Sequence, residues 1–493
     1  MSQPPRRKKG GARRAEDGRL ALLLEERGSI RKVGVVGMGY VGIPAAALFA
    51  DSGAFLRVLG FQRDSPTGRP KIAALNRGES PLGGEEPGLG EILARVVEKG
   101  IFRCTSDFSE IAGMDAVTVA IQTPFARPED LLPDFSSLFE GFRSVGRHLV
   151  PGMLVVVEST VTPGTTEGPA RQILEDESGL FAGTDFALAH APERVMVGRL
   201  IRNIREHDRV IGGLDPASTR RAVELYTPVL AGNRVIPMTA LAAEVTKTAE
   251  NALRDLQIAA ANQLALYCEA MGVNVYDVRA GIASLKGEGI TRAILYPGAG
   301  VGGHCLPKDT YHMERGVATL GGDLDFPEGS ESLFVLARRI NDFMPRHMAT
   351  LTEQGLARVG KGLRGSRVAI LGWAFLRNSD DARNTPSAVY HALLREAGAI
   401  PAVHDPYVRE YPGAEIEDDL VAVLRGADAL ALFTAHSAYA DLDPRRLKAF
   451  SGCEHPVVVD GRNLLDPDAF IGAGFVYKGI GRGDRNSHPL GSG

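Results

Sequence analysis

Apolar and polar positions along the chain follow two rhythms, and the change between them divides the sequence. In the first, short apolar runs are bounded by glycine, proline or polar residues: RKVGVV at 31–36, then 55–61, 116–121, 154–158, 186–189 and 209–211. Runs of that length and composition predict buried strands. Between them, 89–99 and 138–148 repeat apolar residues at helical spacing, and a small-residue helix is predicted at 44–50. Strands alternating with helices imply a mainly parallel sheet covered on both faces.

From 239 to 271 the rhythm changes. The stretch is alanine-rich, lacks glycine and proline, and keeps helical spacing far longer than an ordinary helix. One long helix is predicted, with Gly272 as its C-cap and shorter helical pieces continuing to about Asp342. Strand-like runs return at 367–371, 401–404, 429–433 and 457–460 with helices between.

The first strand enters GMGYVG at 37–42, with Gly37, Gly39 and Gly42 spaced as GxGxxG around Tyr40 and Val41. Between a strand and a helix, such glycines permit a tight turn and let backbone N–H groups approach a pyrophosphate, so the loop is expected to bind a dinucleotide. The expected fold class is therefore α/β, with two Rossmann-like doubly wound parallel-sheet domains joined by a central long-helix domain. The expected parts are a basic disordered tail at 1–30, the dinucleotide-binding domain at 31–237, the helical domain at 238–345, the second α/β domain at 346–482 and a loose tail at 483–493. The acidic residue that usually closes the second strand and bonds the ribose hydroxyls of NAD is replaced by Gln62 and Arg63, with Asp64 two places late. Gln62 can still bond a ribose and Arg63 can pair with the extra phosphate of NADP, which leaves NAD and NADP both open.

Composition narrows the picture mainly by exclusion. Over 493 residues, 44% hydrophobic and 24% charged with a net charge of −4, the chain has the balance of a globular α/β protein and no overall footprint for nucleic acid. The local exception is the cluster Arg6, Arg7, Lys8, Lys9, Arg13 and Arg14, read as a solvated arm. No apolar run reaches the ~18 residues of a membrane span, and no apolar core of a signal peptide follows the basic start, so a cytoplasmic location is expected. The four cysteines, 104, 268, 305 and 453, form no CxxC pair and no metal-like pattern, so neither disulfides nor a metal are expected.

The long helix carries Glu244, Lys247, Glu250, Asn251, Arg254 and Asp255. Lys247 and Asn251 are four apart and share a face, where they can converge on one ligand atom and stabilise a developing alkoxide. Read alone, the same helix is better explained as a solvated ion-pair face. The segment PGAGVGGHCLPKD at 297–309 adds a second signal, because it sets Cys305 in a glycine-rich loop after Gly302 and His304 and before Lys308 and Asp309. Nearby positive charge favours thiolate, the form that attacks a carbonyl carbon. His304 is either a base or a loop hydrogen-bonder, and the other three cysteines read as inert.

Taken together these motifs resemble the UDP-glucose and GDP-mannose dehydrogenase family, and within it the chain is similar to the UDP-N-acetylmannosamine and UDP-N-acetylglucosamine 6-dehydrogenase branch. The resemblance runs through GMGYVGIP at 37–44, QTP at 122–124, ESTVTPGT at 158–165, APERVMVG at 191–198, EVTKTAEN at 244–251, the cysteine loop, DDARNTP at 380–386 and DGR at 460–462. It implies a four-electron oxidation of a UDP-sugar C6 alcohol to a uronate through a thioester on Cys305. It further implies that Lys247 and Asn251 hold the sugar oxygen, that Asp309 positions water or Lys247, that Thr160 and Glu193 serve the water that cleaves the thioester, and that Thr123 and Thr160 line the nicotinamide pocket. Glu193, Arg194, Val195, Lys247, Asn251, Arg254, Gly302, His304, Arg377 and Arg462 are the implied substrate contacts, and a homodimer or higher homo-oligomer is implied. A departure stands after Gly372-Trp373-Ala374-Phe375, where Leu376 and Arg377 replace the family's usual lysine. Alternatives are oxidation of UDP-glucose or GDP-mannose, a two-electron dehydrogenase of the β-hydroxyacid type, and a sensing protein without turnover.

Overall fold

The structure, a computed structural model, describes residues 18–83, 86–127, 132–285, 295–322, 326–327 and 330–483. The basic cluster at 6–14 and the tail beyond 483 lie outside the described residues. The chain divides into two units: 1–82, 86–249 and 311–324 make the first, and 83–85, 250–310 and 325–493 make the second.

In the first unit, eight short strands form one sheet: β1 (Lys32–Val36), β2 (Arg57–Phe61), β3 (Phe102–Thr105), β4 (Ala116–Val119), β5 (Leu154–Val157), β6 (Ala187–His190), β7 (Arg209–Gly213) and β8 (Val235–Thr239). They lie in the order β8-β7-β6-β5-β4-β1-β2-β3, parallel throughout except for β6 against β7. Both faces are covered because successive side chains alternate between two cores. Val33 and Val35 enter one core with the helix that follows β1, and Val36, Val117 and Val119 enter the other. The order reverses between β1 and β4, and a crevice at the carboxyl ends of strands at such a point is where open α/β sheets bind ligands.

In the second unit, β9 (Arg367–Leu371), β10 (Ile400–His404), β11 (Ile416–Glu417), β12 (Ala429–Leu432), β13 (Val457–Asp460) and β14 (Val476–Gly479) form an all-parallel sheet in the order β11-β10-β9-β12-β13-β14. The same reversal recurs between β9 and β12. The strands β3, β8, β11 and β14 were not expected from the sequence: FRCT carries an exposed arginine in mid-strand, and β8 is largely exposed and contains Pro237, so neither gives a continuous apolar run.

Two further expectations need correction. The segment before residue 30 is not wholly a disordered tail, because α1 (Arg19–Arg27) packs on the first unit with Leu20 buried and Arg27 Nε donating to the Pro151 carbonyl at 2.8 Å. Its apolar run, LALLL, lay hidden behind the basic cluster. The small-residue helix is α2 (Gly42–Asp51), and the long helix is α3 (Ala240–Ala270), closed as expected at Gly272, whose φ is +70°. After α4 (Leu306–Thr319), the pieces expected to end near Asp342 are one 26-residue helix, α5 (Leu333–Arg358). Pro345 argues against a helix on local propensity, but here it is buried and its ring would lie 3.1 Å from a Cβ at Gly300, so packing outweighs the lost hydrogen bond. Among the described residues no helix is long and apolar enough to cross a membrane.

Candidate active site

In the first unit, each glycine of the loop after β1 has its own reason. Gly37 has φ +101°, and a Cβ there would sit 2.7 Å from the Ala120 carbonyl oxygen. Gly42 opens α2, and its Cβ would lie 1.9 Å from the Gly37 oxygen. At Gly39 the nearest atom to a built Cβ is 3.9 Å away, so the backbone there is open to a ligand at the amino end of a helix. Tyr40 and Val41, both partly exposed, complete the turn. A cavity of about 320 Å³ adjoins the loop, and Gly39, Gln62, Arg63, Lys71 and Gln122 are among its lining residues. These features fit a dinucleotide.

Gln62, where an acid is usual, turns inward: its Oε1 accepts the Met38 N–H at 3.2 Å and so braces the loop. Asp64 pairs with Arg69. Arg63, just past β2, and Lys71, in the helix Gly68–Asn76, therefore line the cavity without the usual carboxylate at the strand end. If Arg63 reads a 2′-phosphate, Arg63→Ala should weaken NADP binding by roughly 10- to 100-fold, the scale of a hydrogen bond to a charged group, and leave NAD almost unchanged. Titrating both cofactors by protein fluorescence checks this, and equal losses for the two would remove the idea.

The turns after β4, β5 and β6 are tied to one another. Thr123, buried, donates to the Thr160 carbonyl at 2.8 Å, and the Ser159 hydroxyl accepts from Ile121 N–H at 2.9 Å and donates to the Ile121 carbonyl at 2.7 Å. Glu193, also buried, accepts the Arg194 N–H at 2.9 Å through Oε1 and pairs with Arg209 through Oε2. Arg194 donates to the Asp208 carbonyl at 3.2 Å and Val195 packs on the core, so both make contacts within the protein.

On α3, Glu244 was counted in sequence only as one helix charge. In the structure its Oε2 accepts the Gly164 N–H at 2.6 Å and its Oε1 the Thr166 N–H at 2.8 Å, which pins the first turns of the helix to the TVTPGTT loop. Burial pushes its carboxyl up to about 7. One turn on, the Lys247 side chain is nearly buried, at 7% exposure. His190 ends β6 fully buried, and burial, Arg209 and Lys247 together push its imidazole down to about 3, so it is neutral.

The second unit holds Asn251, Asp309 and Cys305. Asn251 Nδ2 donates to Asp309 Oδ2, while Lys308 Nζ donates to Asp309 Oδ1 at 2.7 Å, and Lys308 and Asp309 are both buried. Asp309 thus orients Asn251. Cys305 immediately precedes α4, and its carbonyl accepts the N–H groups of Lys308 and Asp309 at 3.0 and 2.9 Å. Its side chain is partly exposed, whereas Cys104 and Cys268 are buried and burial pushes the Cys104 thiol up to about 12. Cys453 lies 3.6 Å from Asp428 Oδ1.

The loop is held by the chain after β9. Gly303 has φ +92° and a Cβ there would meet the Phe375 ring at 2.7 Å, while one at Gly302 would meet Phe375 Cβ at 2.7 Å. Gly303 N–H donates to the Arg383 carbonyl at 2.8 Å and Asn384 Nδ2 to the Gly303 carbonyl at 3.0 Å. Arg462 donates to the Phe375 carbonyl at 3.0 Å, which puts it beside this loop. Arg377 is exposed and donates to Ser437 Oγ at 3.0 Å, Arg254 is exposed on α3, and His304 is half-buried. A network the sequence did not disclose braces the start of the loop. Arg338 donates to Asp255 at 2.7 Å, Asn341 Nδ2 to Asp255 Oδ1 at 2.8 Å, Asn262 Nδ2 to Asn341 Oδ1 at 2.8 Å, and Gly298 N–H to Asn262 Oδ1 at 2.9 Å.

Comparison with known proteins matches the chain to three family models of the UDP-glucose/GDP-mannose dehydrogenase family: the NAD binding domain over residues 31–230, the central domain over 241–333 and the UDP binding domain over 369–467. The UDP-N-acetyl-D-mannosamine dehydrogenase of Pyrococcus horikoshii is 34% identical over 453 residues, spanning 92% of this chain and 100% of that protein. Among solved structures, NDP-N-acetyl-D-galactosaminuronic acid dehydrogenase from Methanosarcina mazei Go1 is 66% identical with a TM-score of 0.85, covering 95% of this chain and 99% of that one. A UDP-glucose dehydrogenase from Pyrobaculum islandicum is 31% identical with a TM-score of 0.78, covering 92% and 99%.

Proposed function

The chain belongs to the UDP-glucose/GDP-mannose dehydrogenase family, and from that membership we propose that it oxidises the C6 alcohol of a UDP-N-acetylhexosamine to a carboxylate through a thioester on Cys305. One observation carries the reading: among the four cysteines, Cys305 alone stands partly exposed on a glycine loop at the amino end of a helix. A helix N-terminus favours the thiolate. NAD, when bound, accepts the hydride that leaves C6 in each of two oxidations.

The residues supply the rest. As the C6 hydroxyl gives up its proton to solvent water, the Lys247 ammonium and the Asn251 amide donate to the oxygen that becomes negative. The Cys305 sulfur then adds to the aldehyde carbon, giving a thiohemiacetal whose oxygen uses the same donors. After the second oxidation the carbon is a thioester. Glu193 takes a proton from water as the water oxygen attacks the thioester carbon, the C–S bond breaks, and the thiolate leaves with the uronate free. Covalent capture keeps the aldehyde from escaping between the oxidations.

The expected sugar is of the N-acetylmannosamine or N-acetylglucosamine type, supported by PERV at 192–195 and GVGGHC at 300–305 and by the name of the Pyrococcus relative. A galacto-configured N-acetylhexosamine is a second reading, supported by the name of the Methanosarcina protein at 66% identity. Incubating the purified protein with NAD and a panel of UDP- and GDP-sugars tests both. The expected result is two NADH and one uronate per N-acetylhexosamine consumed. One NADH per sugar, with an aldehyde or ketone as the product, would leave the two-electron alternative standing instead.

A further inference from the structure

Behind Glu193 in the first unit lies a second carboxylate that the mechanism does not use. Glu158 follows β5 and is buried. Arg209, at the start of β7 and also buried, binds both acids: one terminal nitrogen pairs with Glu193 Oε2, and the other donates to Glu158 Oε1 at 3.2 Å and to the Ala191 carbonyl at 3.0 Å. The Tyr226 hydroxyl donates to the same Glu158 oxygen at 2.6 Å, and its ring lies beneath the guanidinium at 4.3 Å. One buried cation thus serves two buried anions, and the charge it lends to one is withheld from the other.

We propose that Glu158 is a positioning residue for the hydrolytic step, acting through Arg209 so that the guanidinium fixes Glu193 without fully neutralising it. The inference rests on the reading of Glu193 as the base. With Glu158 ionised, Arg209 is shared and the Glu193 carboxylate keeps the charge it needs to take a proton from water. With Glu158 protonated, Arg209 belongs to Glu193 alone, which makes it a weaker proton acceptor.

The groups that face Glu158 are Arg209, Glu193, the Tyr226 hydroxyl and the Thr118 hydroxyl. The neutral His190 feels the charges of both Arg209 and Lys247. Burial, opposed by Arg209 and assisted by Glu193, pushes the Glu158 carboxyl up to about 7. Release of uronate should therefore slow as pH falls through that value, because Glu158 then takes up a proton.

The test follows the acyl-enzyme by intact mass after acid quench during turnover of a UDP-N-acetylhexosamine with NAD, across pH 6 to 9. Glu158→Gln mimics the protonated state at every pH. It is expected to slow release by roughly tenfold, a part of the ~10²–10⁴ that a positioned base supplies, to accumulate acyl-enzyme, and to flatten the acid limb. Tyr226→Phe removes a donor from Glu158 and should move that limb to higher pH with the folded structure kept. It carries the test if Glu158→Gln does not fold. An unchanged limb and no added acyl-enzyme in a folded variant would overturn the proposal. Glu193→Gln separates the two ideas: if it accumulates acyl-enzyme while the Glu158 and Tyr226 variants behave as the parent, only the role of Glu158 fails, and if it accumulates none, the reading of Glu193 fails.

Discussion

Replacing Cys305 by alanine is expected to lower uronate formation by at least about 10⁴-fold, the scale on which loss of a covalent nucleophile is felt, and to leave NAD binding intact. The two effects separate because their structural supports do. The dinucleotide loop of Gly37, Gly39 and Gly42 belongs to the first unit with its own two cores, and Cys305 belongs to the second. Folding should survive as well. The Cys305 side chain is partly exposed, so truncation opens no sealed cavity, and its backbone carbonyl still accepts the Lys308 and Asp309 N–H groups. Gly302 and Gly303 keep their contact with Phe375. The check is mass-spectrometric measurement of uronate beside a cofactor titration and a melting curve. Ordinary uronate output from a folded alanine variant would refute the covalent route, while failure to bind NAD would mean that the two effects do not separate.

The parts of this site that sequence disclosed are those whose chemistry is written in adjacent residues. GMGYVG is legible because glycines spaced GxGxxG between a strand and a helix mark a tight turn open to a pyrophosphate, and the cysteine loop because a thiol among glycines is poorly explained as packing. Both sheets were legible for a similar reason, since strands buried on two faces leave unbroken apolar runs. What stayed hidden depends on partners distant in the chain. Glu244 clamps a loop 80 residues away, Arg209 reaches Glu158 across 51, and Arg338 reaches Asp255 across 83. A glutamate on a helix carries no local mark that it will accept two backbone N–H groups rather than face solvent. The late end of α5 is the same lesson in reverse, where Pro345 signals a break locally and tertiary packing overrides it.

Lys247 joins the two kinds of information, and its replacement is the second large effect. Its side chain is only 7% exposed, and among the described residues no carboxylate pairs with its ammonium. Its surroundings include the buried His190, which burial, Arg209 and Lys247 itself hold neutral. An ammonium with no carboxylate to hold it can donate to a ligand, and a sugar oxygen becoming an alkoxide is the partner that the proposed chemistry provides. Lys247→Met, which keeps the length of the stem and removes the charge, should therefore lower kcat by about 10²–10³-fold, as loss of one oxyanion donor does, with a much smaller change in KM. Stability should change little, because the variant breaks no ion pair and keeps the packing of the stem. A structural lysine would give the opposite pair of results, a lowered melting temperature with turnover close to the parent's, and that outcome would remove Lys247 from the reaction.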